Sequence, residues 1–197
     1  MKKKMIPLLL FLPLLFLLAV YGKDSKKEES RVVVIAIDGM RWQEMFEGAR
    51  RDSLMPFLWE MGRKKGCMIG NRNRKSKMEV ANGIWKSYAG YSEMLCGVTD
   101  DEHIFDNRKQ YNPNRSVLEL AEACSEYKDR VNAVASWDVI PYILNYRRSE
   151  LPVDFRSSHR VSKQVRNDSV TLNRALKTLK EKHPKLLFVE FCETDYY

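Results

Sequence analysis

The chain has 197 residues, 44% of them hydrophobic and 30% charged, with a formal net charge of +8 at pH 7. That length is enough for one core of moderate size. The mildly basic balance, part of it from Lys2, Lys3 and Lys4 ahead of the first apolar run, does not by itself imply a nucleic-acid partner.

The opening MKKKMIPLLLFLPLLFLLAVYGKDS sets lysines before an apolar run from Met5 to Tyr21 and ends it at Gly22, the layout of a secretory signal peptide over residues 1–22. The run is at the short limit for a membrane span, and no cysteine at its end could accept a lipid. The expectation is a secreted or periplasmic protein, attached to a membrane only if the leader stays uncleaved. Residues 23–30 (KDSKKEES) read as a solvated linker and residues 31–197 as the folded domain.

RVVVIAI, Arg31 to Ile37, is β-branched and apolar throughout, which predicts a central strand buried on both faces and ended by Asp38 and Gly39. Ser53 to Lys65 spaces Leu54, Phe57, Leu58 and Met61 helically and stops at Gly66. The basic stretch from Arg63 to Lys77 contains no acid and reads as a solvated hairpin or loop. Lys77 to Trp85 predicts a short strand, and Tyr88 to Leu95 a helix.

Ser116 and Glu119 form the pattern of a capping box, with Val117, Leu120, Ala121 and Cys124 on one apolar face of the helix that follows. Val131 to Ala135 predicts a strand and Trp137 to Asn145 a short helix. Ser162 to Lys182 predicts a longer helix with Val165, Leu172, Leu176 and Leu179 inward, and Leu186 to Phe191 another strand. Strands alternating with helices imply an α/β fold, a mostly parallel sheet with helices on both faces.

Cys67, Cys96, Cys124 and Cys192 show no CxxC spacing and no histidine at zinc-finger distance, so a structural zinc site is not expected. Disulfides and buried free thiols both remain compatible with export. His103, His159 and His183 are scattered and read as loop or surface residues.

In open parallel sheets, reactive groups collect at the carboxyl ends of strands. Asp38 directly follows one predicted strand and Asp195 closely follows another. Either aspartate alone is more often a cap or turn residue. Together with a serine at a helix start, they form a set that could hold cations and activate a hydroxyl. Ser92 is not in a GxSxG elbow, because its stretch reads GYSEM, and it falls inside the predicted helix, where its hydroxyl would bond back to the chain. Ser87 precedes that helix, where free N–H groups would receive a phosphate; the plain alternative is an N-cap.

The set AIDGMR (Ala36 to Arg41), KSYAGYSEMLCG (Lys86 to Gly97), Asn107 and VEFCETDYY (Val189 to Tyr197) resembles the alkaline phosphatase superfamily, most closely its type I phosphodiesterase/nucleotide pyrophosphatase branch. In that superfamily the nucleophile stands ten residues before a glycine that closes its helix, and counting back from Gly97 reaches Ser87. The resemblance implies that Asp38 binds metal and that Ser87 bridges metals and becomes phosphorylated. It further implies that Asn107 steadies a phosphate oxygen and that Asp195 binds metal within an E-x-D motif begun by Glu193. Two divalent cations, zinc being the expected identity, are the implied cofactors.

The motif's closing histidine, a later Asp-His pair and one further histidine have no counterpart up to Tyr197. The resemblance therefore covers the N-terminal part of such a catalytic domain, C-terminally truncated. The sulfatase signature is absent, since YAGY follows Ser87, and Lys86 departs from the acidic residue of the classical phosphatases. Trp137, Asp138, Tyr142 and Asn145 reach either the substrate mouth or the core, packing being the first reading for the aromatics.

The implied function is metal-dependent hydrolysis of small-molecule phosphoric esters through a phosphoserine, with the 197-residue chain expected to be inactive by itself and its oligomeric state left open. Rival readings are a phosphomonoesterase, mutase or phosphotransferase on the same fold, a non-catalytic fragment, and a secreted domain that binds polyanions through its basic hairpin.

Overall fold

In a computed structural model of the chain, residues 29–48 and 54–196 are described. The predicted leader, all of the linker but its last two residues, and Ser53 lie outside them. Residues 31–197 belong to one compact unit. Its centre is a four-stranded sheet in the order β1-β4-β2-β3, built from β1 (Val32–Ile37), β2 (Val131–Ala135), β3 (Val153–Asp154) and β4 (Leu186–Phe191). Every pairing is parallel. The expected α/β class is therefore the observed one, with β3 a short strand that the sequence did not announce.

The helices are α1 (Pro56–Lys64), α2 (Ser87–Cys96), α3 (Val117–Ala123), α4 (Ile140–Ile143), α5 (Tyr146–Ser149) and α6 (Asp168–Glu181). A π-helical turn spans Glu44–Gly48. Side chains alternate across the sheet, so each strand serves two layers. Val131, Ala133, Ala135 and Phe188 face the larger core with Tyr88, Tyr91 and Leu95 of α2 and Leu118 of α3. Val134, Leu187 and Val189 face the smaller one, where Ala175 and Leu179 of α6 pack.

β4 and β2, not β1, are the inner strands. β1 occupies an edge, with Val32, Val33 and Ile35 exposed by 52%, 43% and 59%. A continuous β-branched run specifies extended backbone, while the burial of its faces depends on what packs above them; α6 packs mainly on β2 and β4.

Two helix faces are also shifted from their expected phase. In α3 the buried positions are Leu118, Glu119 and Glu122, while Val117, Leu120 and Cys124 are exposed. The acids turn inward because Arg148 meets Glu119 at 2.8 Å and the Asp129 N–H donates to Glu122. The capping serine behaves as expected, its hydroxyl accepting from the Glu119 N–H. In α6 the inward residues are Thr171 and Ala175, with Leu172 and Leu176 exposed. Residues 162–167 are not helical, since Trp137 bridges Val165 and Arg160 bridges Arg166.

α1 buries none of its residues, so its apolar spacing marks a helix without a core contact. It ends at Lys65 without a left-handed glycine cap. The predicted helix over Trp137 to Asn145 narrows to α4. The predicted strand Lys77 to Trp85 is irregular: Glu93 of α2 accepts the N–H groups of Ala81 and Asn82, and Asn82 accepts those of Ile84 and Trp85. Side chains thus satisfy donors that a strand would give to a ladder. All four cysteines are free, only Cys192 is buried, and the three histidines are exposed. No helix among the described residues is long and apolar enough to cross a membrane.

Candidate active site at the carboxyl edge of the sheet

Parallel pairing of β1 with β4 runs to Ile37 opposite Phe191, and the Asp38 N–H extends the ladder by donating to the Phe191 carbonyl at 2.9 Å. The residues that follow the two strands are thereby neighbours. Gly39, at φ +73°, lets the chain turn against the other segment: a Cβ on it would lie 2.6 Å from Asp195 Cα. Asp195 sits in a single 3-10 turn, Glu193–Tyr196, exposed to solvent. That turn is tied down by Asp168 at the start of α6, whose carboxylate accepts the N–H groups of Cys192 and Glu193.

Ser87 is the first residue of α2. The N-cap is Lys86, which makes no side-chain cap, so the plain reading of Ser87 as a cap does not hold. Its hydroxyl turns away from the helix and donates to Asp38 Oδ1 at 3.3 Å. Asp38 Oδ1 also accepts from the Gly39 N–H at 3.0 Å. The next helix-terminal donor, the Tyr88 N–H, is taken by Asn107 Oδ1 at 3.0 Å. Gly97 closes α2 in the left-handed conformation. Ser92 lies deep in the helix and accepts from Asn112 Nδ2 at 2.9 Å, a packing role.

Beneath Asp38 lie two residues to which the sequence reading gave no role. Glu190 is fully buried on β4, one Oε accepting from the Ser136 and Trp137 N–H groups while Oε1 has no partner. The Cys192 thiol is 4.0 Å from Asp38 Oδ2. Ligand atoms of Asp38, Glu190 and Cys192 all lie within 4.8 Å of one another, and Asp195 stands outside this group of three.

The electrostatics follow from stacking acids in a dry place. Burial, then the charge of Asp195, holds Asp38 above the ordinary carboxylate range against the lowering effect of the Ser87 and Gly39 hydrogen bonds. Burial pushes Glu190 up to about 7 and pushes the Cys192 thiol far up as well. Crowded acids with an orphaned buried oxygen are under-compensated in positive charge, and oxygen donors of this kind suit a divalent cation. Among the described residues, Asp38, Glu190 and Cys192 form the group whose donor atoms are close enough to hold a cation, and the Ser87 hydroxyl meets it at Asp38.

The other candidates pack elsewhere. Trp137 is buried against Tyr91, its ring centroid 6.4 Å away. Asp138 pairs with Lys109 at 2.8 Å, Tyr142 stacks on Tyr111 at 5.0 Å, and Asn145 donates to the Asn112 carbonyl at 2.8 Å. Comparison of the chain with family models, with curated proteins and with solved structures finds no match in any of the three.

Proposed function

We propose that the protein is a metal-dependent hydrolase of phosphoric esters, exported from the cell and related to the alkaline phosphatase superfamily. One observation supports this above the rest: a serine at a helix N-terminus that declines to cap its own helix and donates instead to a strand-end aspartate 49 positions earlier. A hydroxyl committed to a cap would gain roughly 1 kcal/mol of stability. Directing it at Asp38 serves the site instead.

In this reading two divalent cations, zinc the first candidate, would be held in part by Asp38 and Asp195 and would supply Lewis-acid stabilisation of the charge that develops at the phosphoryl group. Asp38 aligns the Ser87 hydroxyl for in-line attack on phosphorus. The Ser87 hydroxyl gives its proton to solvent as its oxygen bonds to phosphorus and the ester oxygen departs taking up a proton from solvent; water then cleaves the phosphoserine, restoring the hydroxyl and releasing phosphate or its monoester. Asn107, its amide oxygen held by the Tyr88 N–H, has its amide nitrogen left as the donor to a phosphate oxygen. The helix terminus adds a partial positive charge on the same side.

The deciding experiment is Ser87→Ala in the full-length protein assayed with zinc on bis(p-nitrophenyl) phosphate. Turnover should fall by at least about a thousandfold, with stability changed by no more than about 1 kcal/mol, the worth of one partly exposed hydrogen bond. Undiminished turnover removes Ser87 as the nucleophile.

A further inference from the structure

Ser87 and Asp38 open into a cavity of about 560 Å³ whose other walls include Ile37, Met78, Val80 and Met94. Met78, Val80 and Met94 stand 73%, 50% and 53% exposed, an apolar rim around a polar centre. Exposed apolar groups gathered at a reactive site mark a ligand groove more often than a bare surface. The lining contains no lysine or arginine. Its other acids are occupied: Glu93 by the Ala81 and Asn82 donors, and Glu79 by Arg72 and Lys77 at 3.8 and 3.7 Å. A polyphosphate or a second carboxylate would find no cationic side chain in this lining. The one aromatic ring in the lining, Tyr91, is buried in the core and offers no open face for a base.

Met78 also borders a second cavity of about 630 Å³, lined by Met45, Phe46, Met61, Met68 and Ile69 among others. The two cavities therefore meet at one side chain. A trough of thioethers adapts to a flexible occupant better than branched aliphatic walls do.

We propose that the ester turned over at Ser87 carries a linear alkyl chain, which leaves the phosphorus along Met94, Val80 and Met78 and continues into the methionine-rich trough. This rests on the hydrolase reading above and names its substrate class: a single-chain alkyl phosphodiester. Chain and phosphate part at the rim, the phosphate at the helix terminus and the chain over apolar walls.

The test uses the whole protein with zinc and a series of p-nitrophenyl alkyl phosphodiesters from methyl to hexyl, all below their aggregation limit. kcat/KM should rise about two- to fourfold per methylene, mostly through KM, as expected for burying each added carbon. Met78→Gln and Met94→Gln, both at exposed positions, should cut the hexyl-to-methyl ratio of kcat/KM, taken within each variant, about tenfold or more. A flat series, or a slope that neither variant alters, overturns the inference while leaving the hydrolase reading intact. If no ester is turned over, the hydrolase reading itself fails. The groove is then read by calorimetry of hexylphosphonate against methylphosphonate: tighter binding of hexyl supports an alkyl site, and equal binding overturns it.

Discussion

Gly39→Ala is the sharpest perturbation of the junction that brings Asp38 and Asp195 together. A Cβ there would lie 2.6, 2.7 and 2.9 Å from the Cα, N and Cβ of Asp195. Two of these neighbours are backbone and cannot swing aside. Restoring ordinary contact requires the segments to part by about 1 Å. The left-handed φ of +73° adds strain of roughly 1–2 kcal/mol for any residue with a Cβ. Gly97 supplies the control, because its φ is +72° and nothing lies within 4 Å of its would-be Cβ. Gly97→Ala should lose only the strain, lowering Tm by about 2–8 °C for a chain of this size. Gly39→Ala should lose at least as much and, in addition, about a hundredfold in kcat/KM on bis(p-nitrophenyl) phosphate, the typical cost of an ångström of misplacement. Equal loss of activity in the two variants, or none in Gly39→Ala, would refute the argument that the turn of Gly39 against Asp195 sets the site.

Glu190 gives a pH prediction with a definite sign. Its carboxyl is raised from 4.5 to about 7, so between those values the folded protein keeps a proton that the unfolded chain has released. Stability is then lost as pH rises through that window, by at most on the order of 3 kcal/mol. Chelator-treated protein should melt higher at pH 5 than at pH 8, and the difference profile against Glu190→Gln should isolate this slope; a flat difference profile counts against it. Arg148 holds Glu119 and three carbonyls, those of Asn112, Pro113 and Asn114. Arg148→Met, which leaves the nearly buried Glu119 carboxylate with Arg115 alone at 3.6 Å, should cost about 3 kcal/mol in urea unfolding, the low end for a broken buried pair, and a loss under 1 kcal/mol would contradict the pairing. Asp168→Asn keeps the size of the side chain that anchors Cys192 and Glu193 but removes its charge. We expect a loss of about 1–3 kcal/mol and a weaker zinc dependence of turnover, read from the same ester assay at graded zinc.

The strands were legible because their signal is local. LLFVEF and VNAVA are short apolar runs bounded by turn residues, and both lie where expected. The errors share one cause: periodicity reports which residues are apolar, and tertiary partners decide which face is inside. α6 presents Thr171 and Ala175 to the sheet because small side chains let the helix approach closely. That leaves Leu172 and Leu176 outward, one position away from the face that leucine spacing selects. α3 hides Glu119 and Glu122 because distant partners, Arg148 and the Asp129 backbone, neutralise them. RVVVIAI sits at an edge because β4 is the one strand that pairs with it in the sheet, a fact written nowhere within the strand itself.

The site shows the same division. Asp38 and Asp195 follow strands, and strand ends are visible in sequence; their adjacency needed β4 beside β1, which only the ladder from Val32–Leu186 to Ile37–Phe191 establishes. Glu190 escaped notice because a glutamate inside an apolar run reads as an interruption on a solvent face. The register explains why it can be buried instead. Its lateral neighbours are Ala36 on β1 and Ala135 on β2, the smallest side chains available on that face. They open a slot between the strands, and the turn after β2 aims the Ser136 and Trp137 N–H groups into it. Two donors satisfy one carboxylate oxygen and leave the other facing the layer beneath Asp38. Replacing either alanine by valine would close the slot on a group that has nowhere else to go. A small-acid-small row across three parallel strands, ending just below a strand-end aspartate, is thus a pattern that sequence could offer once strand order is known, and it identifies the buried acid before any pKa is considered.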